Sequence, residues 1–341
     1  MQRCLDLAQL GAGTVSPNPM VGCVIVHENK IIGEGYHEKY GQAHAEVNAI
    51  NDARLKHRDA AELFRNSTLY VSLEPCAHFG KTPPCSHLII KCGIPQVVIG
   101  SSDPFKEVNG KGVSQLRDAG VEVLEGVEEE KCNFVNRRFF TRVNLQRPYI
   151  ILKWAQTADH FFAPDDASQK WISSLPAKIL SHKWRAEEDA VLVGKNTALV
   201  DNPQLNVREY CGRNPKRIVI DRDLTLPNTL HLFDQSQETI VFNSLKTDLI
   251  ENIKYLELED FDNLLPQLIC YQLYLMDVGS IIIEGGAKIL NLFLEANLWD
   301  EARIFTSPDK WGKGIKAPEI VGNLISEQKI GPDTLQTFIK F

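Results

Sequence analysis

The sequence predicts two successive α/β units. Strand-like apolar runs alternate with helix-like segments along the chain, which is the pattern of a layered α/β fold. The alternation breaks at Gln146-Arg147-Pro148 and restarts with YIILKWAQ (149–156). A length of 341 residues also exceeds what one hydrophobic core usually organises. The boundary is therefore set between 1–146 and 147–341.

The elements of the first unit follow in order. Cys4, Leu5, Ala8 and Leu10 make an apolar stripe, so 2–12 reads as a helix stopped by Gly11 and Gly13. VGCVIVH (21–27) and KIIGEGYH (30–37) read as strands joined by a tight Glu28-Asn29 turn. Residues 45–55 form a helix, and TLYVSLE (68–74) is a buried strand. Pro83 and Pro84 open a further helix, since Pro is tolerated in a first turn. A strand at 96–103, a helix near 112–119, a strand at 121–126 and a helix at 128–142 complete the unit. In the second unit, strands are expected at 149–156, 189–194, 217–221, 239–243, 280–284, 301–306 and 335–341. Helices are expected at 174–186, 262–275 and 287–296. The stretch 226–262 is the hardest to read, and neither a repeat nor a low-complexity tract is present.

One constellation carries chemistry. His44-Ala45-Glu46 opens the helix at 45–55, Glu74-Pro75-Cys76 ends the strand before Pro83, and Cys85 follows Cys76 after eight residues. An imidazole and two thiolates suit zinc, and three protein ligands leave a fourth tetrahedral position for water. Zinc brings the pKa of its water from ~15.7 towards ~7. Glu46 lies on the first turn of its helix, where it faces the same pocket and can pass a proton from water to a leaving amine. Cys85, at a helix N-terminus, gains from the macrodipole as a thiolate. The competing reading is a closed structural zinc, for which His78 or His87 would supply the fourth ligand.

Composition narrows the partners. An apolar fraction of 43% with 24% charged residues is that of an ordinary globular chain. A net charge of −7 gives no basic footprint for nucleic acid. No apolar run approaches the length of a membrane span, and MQRCLDLAQLG lacks the apolar core of a signal peptide. Eight cysteines in such a chain are no disulfide framework, and a reducing cytoplasm is the expected setting.

PNPMVGCVIV (17–26), GYH (35–37), HAEVNAI (44–50), LEPCAHFGKTPPC (73–85) and SDP (102–104) resemble the deaminase half of the bifunctional riboflavin-biosynthesis deaminase–reductases. Cytidine, guanine and tRNA-adenosine deaminases usually space their two cysteines P-C-x-x-C. The eight-residue spacing with H-x-G-K-T-P-P inside it points to the riboflavin enzymes. LKWAQT (152–157), WIS (171–173), WRAEEDAVLVGKNTALVDNPQLNVR (184–208), RIVID (217–221) and IIIEGGAKI (281–289) resemble the reductase half of the same family. The resemblance implies a cytidine-deaminase-like α/β/α sandwich followed by a dihydrofolate-reductase-like α/β domain. It implies zinc-dependent deamination of a diaminopyrimidinone carrying a ribosylamino 5′-phosphate, then NADPH-dependent reduction of the ribosyl group to ribityl. It also implies association into a homo-oligomer.

Residue roles follow from the same resemblance. Asn18, His37, His78, Lys81 and Asp103 are implied as deaminase substrate contacts, and a Lys at 81 suits a phosphate. Ala155, Trp171, Thr197 and Asp201 are implied along the nicotinamide nucleotide, with Gly285-Gly286 at its pyrophosphate. Lys153, Ser168, Arg185, Leu205, Arg208 and Glu284 are implied near the reductase substrate, Arg185 and Arg208 as bidentate grips for phosphate. Three departures from the family pattern stand out. His160 replaces a Gly, and positive φ is harder for His. One residue is inserted before Trp171, which leaves Ser168 and Gln169 as alternatives for one contact. Arg222 follows RIVID, where it either grips the 2′-phosphate of NADPH or lies in solvent. The first helix is expected to be short, because the chain starts a few residues late relative to typical members. The alternative function is a deaminase of another nucleobase with an impaired or unrelated C-terminal half.

Overall fold

The computed structural model describes residues 1–77, 84–105, 109–165 and 171–340. The chain forms two compact units, Met1–Gln146 and Arg147–Phe341.

In the first unit the elements run α1 (Gln2–Gln9), β1 (Gly22–His27), β2 (Lys30–Tyr36), α2 (Ala45–Lys56), α3 (Ala60–Phe64), β3 (Ser67–Leu73), α4 (Cys85–Cys92), β4 (Gln96–Ser101), α5 (Lys111–Asp118), β5 (Glu122–Leu124), α6 (Glu129–Val135) and α7 (Arg137–Leu145). The sheet order is β2-β1-β3-β4-β5. β1 is antiparallel to both neighbours, and β3, β4 and β5 are parallel. The predicted turn joins β1 to β2, with Glu28 and Asn29 both at positive φ, as a primed hairpin turn requires. Side chains of α2, α4 and α5 cover one face of the sheet through Ala49, Ile50, Ile89 and Leu116. α1 and α6 cover the other through Leu5, Ala8, Cys132 and Val135. α2 lies hard against β2: a Cβ at Gly35 would fall 2.5 Å from the Ala49 nitrogen. That close packing fixes the N-terminus of α2, and with it His44 and Glu46. The helix expected at 128–142 is broken at Asn136, whose buried amide instead exchanges two hydrogen bonds with the Met20 backbone, at 2.8 and 2.9 Å. α1 stops at Gln9, short of the expected residue 12.

The second unit contains β6 (Tyr149–Gln156), β7 (Phe161–Ala163), α8 (Leu175–Glu187), β8 (Ala190–Gly194), α9 (Lys195–Asp201), β9 (Lys216–Ile220), β10 (Thr239–Asn243), β11 (Asp248–Ile250), β12 (Ile253–Glu257), α10 (Leu265–Leu275), β13 (Ser280–Ile283), α11 (Ala287–Glu295), β14 (Glu301–Thr306), β15 (Ile315–Lys316), β16 (Asn323–Ile330) and β17 (Asp333–Ile339). The long sheet runs β11-β12-β10-β9-β8-β13-β6-β14-β17-β16. Its middle, from β12 to β14, is parallel. Central strands buried on both faces read as unbroken apolar runs such as SIII and AVLVG. Ligands of parallel sheets sit beyond the strands' C-terminal ends, and here those ends are Gln156, Gly194 and Ile283. The stretch 226–262 resolves into β10, β11, β12 and a short 3-10 turn at His231–Phe233.

Candidate functional site

The exit of β3 and the N-termini of α2 and α4 converge in the first unit. His44 caps α2 in an extended conformation, Cys76 follows β3, and Cys85 is the first residue of α4. His44 Nδ1 stands 3.6 Å from Cys76 Sγ and 3.4 Å from Cys85 Sγ. A tetrahedral zinc with usual bond lengths would hold nitrogen and sulfur roughly 3.6 Å apart. The donor set therefore fits zinc in both chemistry and spacing. The Cys85 backbone N–H donates to Cys76 Sγ at 3.3 Å. Hydrogen bonding from Cys85, opposed by burial and aided by His44, lowers the Cys76 thiol to about 4. The hydrogen bond to Cys76 raises His44 to about 9. The two shifts have a common cause, a proton shared between the Cys76 thiol and the His44 ring, while the hydrogen bond to Cys76 and burial push the Cys85 thiol up. Among the described residues these three are the group that could hold a metal. His87 is exposed on α4 and stands outside it, and His78 lies outside the described residues.

Glu46 is 3% exposed, and burial raises its carboxyl pKa. It lines a cavity of about 490 Å³ with Asn18, His37, His44, Cys76 and Asp103. His37 Nδ1 meets the Ala43 carbonyl at 3.0 Å and its Nε2 meets Asn18 Nδ2 at 3.2 Å. That pairing puts the proton on Nδ1 and leaves the Asn18 carboxamide oxygen for a ligand. Burial lowers the His37 pKa, so the ring is neutral. Asp103 accepts the Phe105 N–H at 2.9 Å and so also shapes its own turn. Lys81 lies outside the described residues.

Glu74 is a participant that sequence reasoning passed over. It is 4% exposed, and its carboxylate accepts backbone N–H groups of Gly110 and Gly112 at 3.0 Å and of Val113 at 3.3 Å. It thus ties the exit of β3, and Cys76 with it, to the start of α5. Its place directly before Pro75-Cys76 was the available signal.

In the second unit, Lys153, Arg185, Leu205, Arg208 and Glu284 line one cavity of about 340 Å³. Ala155, Trp171, Thr197, Asp201, Arg222 and Gly286 line another of about 1110 Å³. Lys153, Trp171, Thr197, Asp201 and Glu284 belong to both, so the two spaces join there. Ser168 and Gln169 lie outside the described residues. Arg185 Nε and Nη2 meet the Glu284 carboxylate at 2.7 and 2.6 Å. The guanidinium fork expected to face a phosphate is therefore spent on a carboxylate. Burial works against the Glu284 charge, yet Arg185 and Lys153 hold its pKa at about 2. Arg208 makes no ion pair among the described residues. Its Nη1 donates to Asn206 Oδ1 at 2.9 Å. Leu205 turns a buried side chain into the core at φ 48. Trp171 is 67% exposed at the cavity edge, not a core aromatic. Arg222 pairs with Asp262 at 2.6 Å on the rim of the larger cavity. Gly285 does not line that cavity: its Cβ position lies 2.8 Å from Val193 Cβ, so it serves the close seating of the β13–α11 turn on β8. Gly286 takes φ 72 before α11, and this glycine-shaped helix start beside a roomy cavity fits a dinucleotide phosphate. His160 does adopt φ 64, held by the turn in which Asp159 accepts N–H groups of Trp311 and Gly312.

Two family models match the chain. The cytidine and deoxycytidylate deaminase zinc-binding region covers residues 1–101, and the RibD C-terminal domain covers 148–335. The riboflavin biosynthesis protein RibD of Aquifex aeolicus is 40% identical over 94% of this chain and 89% of its own. That of Actinobacillus pleuropneumoniae is 36% identical over 98% and 87%. The crystal structure of a diaminohydroxyphosphoribosylaminopyrimidine deaminase/5-amino-6-(5-phosphoribosylamino)uracil reductase from Thermotoga maritima superposes with a TM-score of 0.90 at 36% identity, over 100% of this chain and 97% of that one. RibD of Acinetobacter baumannii gives 0.87 at 32% identity, again over 100% and 97%. With both halves matched in order and relatives aligned over nearly their whole length, the chain belongs to the RibD family, the bifunctional enzymes of riboflavin biosynthesis in which a zinc-dependent deaminase precedes an NADPH-dependent reductase.

Proposed function

We propose that the N-terminal unit hydrolyses the exocyclic amine of a 2,5-diamino-6-ribosylamino-pyrimidinone 5′-phosphate and that the C-terminal unit reduces the product's ribosyl group to ribityl. The observation that carries the reading is the convergence of His44, Cys76 and Cys85 beside buried Glu46. His44, Cys76 and Cys85 would hold the zinc, which when bound supplies an acidified water. Glu46 holds the moving proton, taking it from the attacking water and delivering it to the departing nitrogen. Asn18 and His37 orient the pyrimidine through their fixed hydrogen-bonding pattern. In the second unit NADPH supplies hydride, and Gly286, Thr197 and Ala155 line the space it would take. Lys153 and Glu284 stand where the two cavities join, and there they orient the sugar carbon towards the hydride donor. Arg208 is the cation best placed for the 5′-phosphate, because the Arg185 fork is taken up by Glu284. The enzyme's partners under this reading are small molecules and a second copy of the chain, in a reducing cytoplasm. All eight cysteines being free suits a reducing setting, and a net charge of −7 suits a small-molecule rather than a polyanionic partner; no helix among the described residues is long and apolar enough to cross a membrane. The test is incubation with the phosphorylated diaminopyrimidinone, with and without NADPH, followed by mass analysis. A gain of one mass unit is expected without NADPH and a further gain of two with it; an unchanged substrate mass would reject the assignment.

A further inference from the structure

The long sheet of the C-terminal unit holds a buried cation that lines neither cavity. Arg217 stands in β9, where Ile218, Val219 and Ile220 follow it. It is fully buried and shares a strand face with Val219, towards the layer of Leu205 and Leu232. A buried charge is expensive unless it is paired and hydrogen-bonded, and this guanidinium is engaged on every side. Nε donates to the Gln204 carbonyl at 2.8 Å. Nη1 donates to the His231 carbonyl at 2.9 Å and to the Asp234 carboxylate at 2.6 Å. Nη2 donates to Ser236 Oγ at 3.0 Å. Neutralising the charge needs Asp234 alone. The two carbonyls are a separate matter, because Gln204 and His231 both line the smaller cavity.

The segment that Arg217 grips is a strained one. Leu205 stands at φ 48 and Asn202 at φ 39, a region that residues other than glycine enter at a cost. Such a backbone persists only where its surroundings over-determine it. Arg217 takes the carbonyl before Leu205, and Gln237 Nε2 takes the Leu205 carbonyl at 3.2 Å. The Asn202 side chain accepts the His231 N–H at 2.8 Å. Further along, Arg185 Nη1 donates to the Asn206 carbonyl and His182 Nδ1 accepts the Arg208 N–H, both at 3.3 Å. The backbone from Gln204 to Arg208 is thus fastened on the side away from the ligand. Gln204, Leu205 and Arg208 line the smaller cavity and not the larger.

We propose that Arg217 is a positioning residue of the reductase: its guanidinium fixes the strained turn at Leu205, and the turn presents Arg208 to the substrate's 5′-phosphate. This rests on the reading that the smaller cavity takes the phosphorylated pyrimidine. Arg217→Lys keeps a charge for Asp234 but lacks the fork that reaches Gln204 and His231 together. It should raise the reductase KM for the phosphorylated substrate about tenfold with kcat within about threefold, the pattern of lost uniform binding. NADPH affinity and the deaminase rate should be unchanged, since the turn lines only the smaller cavity. On the substrate lacking its 5′-phosphate, parent and Arg217→Lys should become alike. Asp234→Asn is the control for stability: it loses the charge, keeps an oxygen acceptor and touches no carbonyl of the turn. It should lower the unfolding temperature of the reductase unit while KM stays within about twofold of the parent. Should Arg217→Lys not be recovered folded, Gln237→Met decides. It removes the donor to the Leu205 carbonyl and should raise KM about threefold. An unchanged KM in the folded Arg217→Lys, or in Gln237→Met where that variant decides, overturns the proposal. So does a penalty that persists without the phosphate, a parallel loss of NADPH affinity, or an equal rise of KM in Asp234→Asn. Arg208→Ala separates the two levels: if it raises KM while Arg217→Lys does not, the cavity assignment stands and Arg217 is excluded. If neither changes KM, the cavity assignment itself fails.

Discussion

At the scale of single residues, the proposed deaminase mechanism separates metal holding from proton handling. His44, Cys76 and Cys85 turn one nitrogen and two sulfurs to a common point, while Glu46 is buried beside them. Glu46→Gln should retain zinc, measured as bound metal per chain. Deamination should fall by roughly a hundredfold to ten-thousandfold or more, because an amide cannot relay a proton. Reductase turnover on supplied deaminated substrate should be untouched; near-normal deamination with full metal would remove Glu46 from its role. His182 makes a different prediction. Its pKa drops from 6.5 to about 4 on folding, through burial and the charges of Arg185 and Arg208, against the opposing effect of Glu284. The unfolded chain binds more protons between those values, so the stability of this unit should be complete above pH 6.5 and decline as the pH falls towards 4. The loss is on the order of 3 kcal/mol at most. His182→Asn should flatten that slope in urea unfolding monitored across the window; an unchanged slope would show that other groups set it. The motif residues were legible one by one in the sequence. Pairings were not: Arg185 and Glu284 are 99 positions apart, and nothing local says that one neutralises the other.

At the scale of elements, the functional side chains sit where strands end and helices begin, and glycines set how closely those elements approach. Gly285→Ala would bring a methyl to within 2.8 Å of Val193 Cβ and 2.9 Å of its Cα. Neither atom can yield without moving β8 or the β13–α11 turn. Overpacking of this kind costs about 1–3 kcal/mol. The variant should therefore lose NADPH affinity and thermal stability of the reductase while its deaminase rate holds, measured by cofactor titration and by the two assays in parallel. Full NADPH affinity would mean that the turn can shift without cost. The central strands were readable because burial on both faces makes each an apolar run, as in TIVFN and SIII. The edge strands were not. β11 is exposed throughout, and β16 reads NLISEQKI with its residues largely in solvent, which is how natural sheets blunt their edges. The break between α6 and α7 was hidden for another reason. Asn136 is an unremarkable helix residue until its amide finds Met20, which is 116 positions away.

At the scale of the whole molecule, each unit carries its own apolar interior: one built around Ile25, Leu69, Val71 and Ile99, the other around Leu152, Leu192, Ile218, Phe242 and Ile283. Each also carries its own ligand site, so ligand binding should stabilise the unit that holds the site. Zinc held by His44, Cys76 and Cys85 would tie α2, α4 and the end of β3 to one point. Its removal by a chelator should lower the unfolding temperature of the N-terminal unit and abolish deamination, while reduction of supplied deaminated substrate continues. NADPH binds the native reductase and should raise the transition of the C-terminal unit. At a hundredfold excess over Kd the gain is about 2.7 kcal/mol, or several degrees for a unit of this size. Calorimetry of the full chain, followed by chelation and then by cofactor addition, reads both effects in one sample. Two transitions that respond to different ligands are the expected record. A single transition moved by either ligand would mean that the two interiors melt as one cooperative block, and the division of labour between the units would then be chemical but not thermodynamic.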